Sequence, residues 1–224
     1  MAVVDFGYWD TRGKGEPIRL MMEYLGVSYR EKRYTFGDAP EFSKGDFTSV
    51  KNQLGIKFPN LPYLIDGEVK ISESFAIMRY LARKHKQLYP QTDEENLKCD
   101  VLQGVIYDFR AAYTKTIYDR ENFEQAKGNY LREFEEKMPI FEDILSKTKW
   151  LTGENLMYVD FWFSENMSCL QMCFPGCLDK YPNVKRYCDK FEALERIAAY
   201  KKSERFQKLP ILSKRAVGIW GKKE

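Results

Sequence analysis

Asn60-Leu61-Pro62-Tyr63-Leu64-Ile65-Asp66-Gly67 is the stretch whose reading decides the fold. Proline lacks an N–H and holds its predecessor in extended backbone, so Leu61-Pro62 reads as the mouth of a strand and a candidate cis bond. Tyr63 to Ile65 carry that strand on. Asp66-Gly67, a pair that tolerates positive φ, turns it into a second strand ending at Ser72. Helical periodicity then runs from Ser74 to Lys86, with Glu73 and Ser74 at its opening. The first N–H groups of a helix lack partners and attract an anion. Leu61 is expected to turn its backbone N–H and C=O outward beside that helix start. Such a place suits an extended peptide that carries a carboxylate.

Working outward, Ala2–Tyr8 is a short apolar strand. Pro17–Gly26 places Ile18, Met21, Met22 and Leu25 at helical spacing, with proline in the first turn and glycine as the stop. Residues 27–34 alternate as a strand. Residues 37–58 are rich in Gly, Asp, Pro and Lys and are too long for a plain connection. Strand, helix, strand, hairpin, helix is the order of an α/β thioredoxin-like domain, assigned here to residues 1–86. Residues 87–92 read as a linker. From residue 93 to 224 strand signals vanish, and helices are expected at 93–118, 124–147, 158–172 and 183–202, making an all-α domain.

Of the 224 residues 44% are hydrophobic and 15% aromatic, which fits a folded protein with a core in each half. The formal charge of +3 comes without a basic stripe, so nucleic acid is not an expected partner. No run approaches the roughly 18 apolar residues of a membrane span, and no signal segment opens the chain. The expectation is a cytoplasmic protein with no membrane partner. The five cysteines, an odd number, fit a reducing compartment. Cys169, Cys173 and Cys177 are spaced by four, but Phe174-Pro175-Gly176 interrupts them and the single histidine, His85, is distant. They are read as small apolar side chains on one helix face, and no metal is expected.

Four stretches in order, Gly7–Gly26, Lys32–Phe42, Leu54–Gly67 and Ser72–Lys86, resemble glutathione transferases of the mu class. Met157–Phe161 and Ser213-Lys214 extend the resemblance over nearly the whole chain. It implies a homodimeric enzyme that adds the thiolate of reduced glutathione, a co-substrate rather than a cofactor, to hydrophobic electrophiles. Tyr8 is the implied catalytic residue, its phenol donating to the sulfur anion. A cysteine thiol ionises near pH ~8.5, so lowering that by two units takes about 2.7 kcal/mol. A charge-assisted hydrogen bond beside a helix dipole is of that size.

The resemblance also implies the glutathione contacts: Trp9, Lys44, Phe47, Lys51, Asn60, Leu61, Pro62, Glu73 and Ser74, with Asp108 reaching in from a second subunit. Lys51 pairs with the glycine carboxylate and Ser74 holds the γ-glutamyl carboxylate. Leu61 supplies two backbone bonds to the cysteinyl unit. Read alone, Lys51 and Asp108 are ordinary solvated charges. Tyr118, Thr11, Lys14, Tyr107 and Thr114 are the implied electrophile wall, and the segment from Pro210 to Trp220 is expected to cover it. Phe58 is the implied aromatic knob that enters a partner subunit.

Several positions depart from the usual mu pattern. Phe47 replaces a tryptophan and so has no donor. Lys44 replaces an arginine, keeping charge but losing the planar fork. Glu73 replaces a glutamine, and Lys14 and Thr114 are more polar than the aliphatic residues usual there. Met157 stands where a Ser or Thr cap is usual, leaving only Asp160 for a capping box, so a weakened helix start is expected. Two other functions compete. One is a ligand-binding or structural protein of the same fold with weak catalysis. The other is a thiol redox enzyme, which needs a cysteine after the first strand, whereas none precedes Cys99.

Overall fold

The computed structural model describes residues 3–208, 210–218 and 220–222. Its first apolar run, β1 (Val4–Trp9), is an inner strand of a four-stranded sheet ordered β2-β1-β3-β4, with β2 at Tyr29–Tyr34, β3 at Tyr63–Asp66 and β4 at Val69–Ser72. β1 pairs in parallel with β2, Val4 opposite Tyr29 through Trp9 opposite Tyr34. It pairs antiparallel with β3, Phe6 opposite Leu64. Parallel neighbours need a crossover, and α1 (Glu16–Leu25) provides it. Its proline stands in the first turn, and Gly26 ends it in the left-handed region at φ 68°. The hairpin of β3 and β4 turns through Gly67 at φ 60°.

Residues between β2 and β3 hold a four-residue helix, α2 (Gly45–Thr48), and one 3-10 turn at Lys51–Gln53. The Leu61-Pro62 peptide is cis, as is Ala39-Pro40. A single residue, Glu73, joins β4 to α3 (Ser74–His85), and it does so at φ 72°. So sharp a reversal needs the left-handed region, which costs a residue with a Cβ about 1–2 kcal/mol.

The helical unit contains α4 (Asp93–Tyr118), α5 (Phe123–Lys147), α6 (Tyr158–Cys173) and α7 (Pro182–Glu192). Thr92 caps α4 by accepting the Glu95 N–H at 3.1 Å. α6 is buried on almost every face, against α4 and α7, as suits a helix apolar all round. Cys169 and Cys173 belong to that buried surface, while Cys177 lies beyond the helix end. Met157 makes no side-chain cap bond at the start of α6. Instead Asp160, wholly buried, accepts from the N–H groups of Met157 (2.8 Å) and Leu151 (3.1 Å) and from the Tyr187 hydroxyl (3.0 Å). Among the described residues no helix is long and apolar enough to cross a membrane.

Two expectations need correction. The helix expected over 183–202 is two, α7 and α8 (Glu195–Lys201). The Ala193 N–H bonds back to the Asp189 and Phe191 carbonyls and closes α7, a break that no Gly or Pro announces. The chain divides into a unit of residues 1–85 with 200–224 and a second unit of residues 86–199. The last 25 residues therefore group with the sheet rather than with the helices, contrary to the expected 93–224 domain. The physical reason is a set of bonds back to α1 and the loop before it. The Tyr200 hydroxyl donates to Glu16 at 3.0 Å, Arg205 pairs with Glu23, and Arg12 and Gly13 donate their N–H groups to Pro210 and Ile211.

Candidate active site

Tyr8 lies near the C-terminal end of β1 and is 7% exposed. The backbone that leaves the strand wraps its ring closely. A Cβ placed on Gly13 lies 2.5 Å from the Tyr8 oxygen, and one on Gly15 lies 2.5 Å from Cδ1. Gly13 also has φ 43°, a conformation that glycine alone adopts without cost. This close approach brings the Lys14 N–H to the phenol oxygen, to which it donates at 2.8 Å. Thr11 is buried and Lys14 partly so, hence both surround Tyr8 at the start of α1.

Beneath this loop is a charge cluster that the sequence reading missed. Arg19 and Glu16 are each 1% exposed and paired at 2.8 Å, and Arg19 also pairs with Glu31 at 2.7 Å. Its guanidinium donates to the Thr11 carbonyl and lies 5.9 Å from the Tyr8 ring centre. Burial by itself pushes the guanidinium down, but the charges of Glu16 and Glu31 outweigh that and hold it above its usual value. A buried ion that loses its partner is strongly destabilising, so the three charges stand or fall together. The signal was present in the sequence as Glu16 and Arg19 on one turn of a helix whose apolar residues were the ones counted.

Trp9 stacks on Phe36 at 4.0 Å and meets Phe47 edge-on at 6.1 Å. Phe47 is 5% exposed and also packs on Tyr34 at 5.2 Å. It is therefore a core residue of α2 that supports Trp9, not an exposed contact. Lys44 precedes α2 and is exposed, and Lys51 opens the 3-10 turn, partly exposed.

On the other side of the sheet edge, Asn60 Nδ2 donates to Glu73 at 3.3 Å, and Ser74 is buried at the start of α3. The Leu61 N–H does not point outward unpaired, as expected. It donates to Asn60 Oδ1 at 2.9 Å, because a short amide side chain captures a neighbouring backbone donor. Pro62 is buried behind it. Phe58 is 75% exposed, and its carbonyl accepts from the Ser72 hydroxyl at 2.6 Å, which fixes the loop but leaves the ring outside.

In the helical unit Tyr107, Thr114 and Tyr118 recur seven and four residues apart, so they share one face of α4. Tyr107 is 43% exposed and lies 6.5 Å from the Trp162 ring. Asp108 is exposed on the neighbouring strip. Thus the structure gathers Tyr8, Thr11 and Lys14 in one place, Asn60, Leu61, Glu73 and Ser74 in another along the same unit, and the three α4 residues on one helix face.

Comparison with known proteins agrees with this arrangement. Residues 4–83 match the family profile described as Glutathione S-transferase, N-terminal domain, and residues 107–204 the profile described as Glutathione S-transferase, C-terminal domain. The chain is 43% identical to Glutathione S-transferase Mu 1 of Homo sapiens across 97% of this chain and 98% of that one. It is 42% identical to Glutathione S-transferase Mu 1 of Bos taurus over the same shares. Among solved structures, the glutathione S-transferase Blo t 8 superposes with a TM-score of 0.86 at 30% identity, covering 95% of this chain and 98% of that one. With both halves matched to the two domains of one family, and with mu relatives this similar along nearly its full length, the chain belongs to the glutathione S-transferases, in their mu class.

Proposed function

We propose that the protein conjugates reduced glutathione to hydrophobic electrophiles, with Tyr8 as the thiolate stabiliser. The observation that carries the role of Tyr8 is the Lys14 N–H on its oxygen at 2.8 Å. An oxygen that accepts a hydrogen bond becomes the better donor, since bonds in a chain polarise one another. The phenol then directs its own proton to the ligand sulfur. The thiol gives its proton to solvent, and the thiolate attacks the electrophilic carbon. In a halonitroaromatic the halide leaves with the bonding pair; in an epoxide the C–O bond opens and the oxygen takes a proton. Tyr118 is the donor proposed for that oxygen, with Thr11, Lys14, Tyr107 and Thr114 around the electrophile.

Glutathione lies extended along Leu61 in this reading. Its cysteinyl carbonyl replaces Asn60 Oδ1 as the acceptor for the Leu61 N–H, a one-for-one exchange that leaves no donor unpaired. Ser74 and the α3 N-terminus take the γ-glutamyl carboxylate, Glu73 and Asp108 of a second copy take the ammonium, and Lys51 takes the glycine carboxylate. Trp9, Lys44 and Pro62 complete the wall, and Phe47 acts through Trp9 alone. The protein is a homodimer in this proposal, its exposed Phe58 seated in the other copy. An apolar groove of about 490 Å3 between α4 and α5, lined by Leu97, Val101, Leu102, Ile144 and Leu151, is the proposed socket. Five free cysteines accord with the cytoplasm.

The test compares the addition of glutathione to chlorodinitrobenzene by the wild type and Tyr8→Phe, alongside glutathione affinity. The expected result is a rate lower by roughly 100-fold near neutral pH, the equivalent of two pKa units, with binding retained. Binding without any rate above background, for several electrophiles, overturns the enzyme reading in favour of a ligand-binding protein.

A further inference from the structure

The loop that delivers the Lys14 N–H to Tyr8 has no regular structure of its own, and the C-terminal segment supplies what holds it. Arg12 and Gly13, the two residues before Lys14, donate their N–H groups to the consecutive carbonyls of Pro210 and Ile211, each at 2.9 Å. The Arg12 side chain, 1% exposed, donates to the Lys208 carbonyl at 3.5 Å and lies over the Phe206 ring at 5.5 Å. Ile211 is wholly buried, and its own N–H donates to Trp220 at 2.8 Å, so the segment closes on itself beneath the loop. From the far side Tyr200 bonds to Glu16, which holds Arg19, which in turn holds the Thr11 carbonyl. Every residue from Thr11 to Gly13 is therefore tied to the C-terminal segment or to the charge cluster.

A donor aimed at developing charge is effective only if it is fixed before the reaction. We infer that Arg12, Pro210 and Ile211 are positioning residues for Tyr8: the C-terminal segment clamps the loop so that Lys14 stays on the phenol oxygen. This rests on the reading of Tyr8 as thiolate stabiliser. It reverses the role first expected for the segment, which supports the glutathione side from below rather than roofing the electrophile.

The experiment uses full-length Ile211→Ala and Arg12→Met, with Arg12→Lys as the conservative variant and Tyr8→Phe as reference. The thiol pKa of bound glutathione is read from thiolate absorbance and from the pH profile of kcat/KM. The clamp variants are expected to raise that pKa by about 0.5–1 unit and lower kcat/KM about 3- to 10-fold below it, with recovery at higher pH. The KM for glutathione stays within about twofold, because the residues that bind the peptide are untouched. Arg12→Lys falls between Arg12→Met and wild type. Should the variants lose thermal stability yet keep the wild-type thiol pKa while Tyr8→Phe shifts it, the segment is a structural brace only and the inference fails alone. Should Tyr8→Phe leave the thiol pKa unmoved, the reading of Tyr8 fails and the clamp with it. If Ile211→Ala does not fold, Arg12→Met decides the matter.

Discussion

Replacing Gly13 with alanine tests the geometry of the site at its tightest point. The new Cβ lies 2.7 Å from Tyr8 Cε1 and 2.5 Å from its oxygen, both on a rigid ring. Ordinary carbon contacts begin near 3.5 Å, so ring or loop must yield by about 0.8 Å. The 2.8 Å bond from Lys14 to the phenol then stretches to roughly 3.6 Å, where it no longer counts as a hydrogen bond. Alanine at φ 43° adds backbone strain of about 1–2 kcal/mol. Together with the overpacking, unfolding is expected to become easier by about 2–4 kcal/mol. The displaced phenol loses most of a charge-assisted bond worth about 1.5–3 kcal/mol, hence a loss of roughly 10- to 100-fold in kcat/KM below the thiol pKa. Stopped-flow titration of the bound thiolate, urea denaturation and glutathione affinity measure the three effects separately. A Gly13→Ala protein with the wild-type thiol pKa would refute the argument that the loop backbone fixes Tyr8, whatever happened to its stability.

Two further outcomes are expected. Phe58→Ser shifts sedimentation from dimer to monomer while leaving the fold of each subunit intact, since the ring is 75% exposed within its own chain; a dimer of unchanged affinity sinks the knob. The Asp160 carboxyl is pushed up to about 6 by burial, against the hydrogen bonds from Met157, Leu151 and Tyr187 that pull it down. A raised folded-state value means that its contribution is complete below the unfolded value, about 4, and is lost as pH rises through about 6. Stability measured by urea across that window falls more in the wild type than in Asp160→Asn. The asparagine variant is also less stable throughout by about 1–3 kcal/mol, because its amide faces the Met157 N–H. Equal slopes in the two proteins count against the assignment.

What the sequence by itself determined was whatever depends on neighbours along the chain. Leu61-Pro62 opened a strand, Asp66-Gly67 turned it, Pro17 and Gly26 bounded α1, and α4 runs from Asp93 to Tyr118 as its periodicity requires. These are local steric and periodic rules, and Tyr8 was legible because it sits where one such element stops. What only the tertiary structure decided involves groups far apart in sequence or alternatives of similar energy. Glu16 and Arg19 look like solvated charges until Glu31 and Tyr200 are brought against them. Phe47 looks like a ligand contact until Trp9 and Tyr34 close over it. Asn60 claims the Leu61 N–H through a side-chain rotation that no pattern encodes. The return of the C-terminal segment to Arg12 and Gly13 rests on backbone carbonyls, which every residue carries alike, so composition and spacing leave no mark of it. Only burial and distance could show which carbonyls hold the catalytic loop.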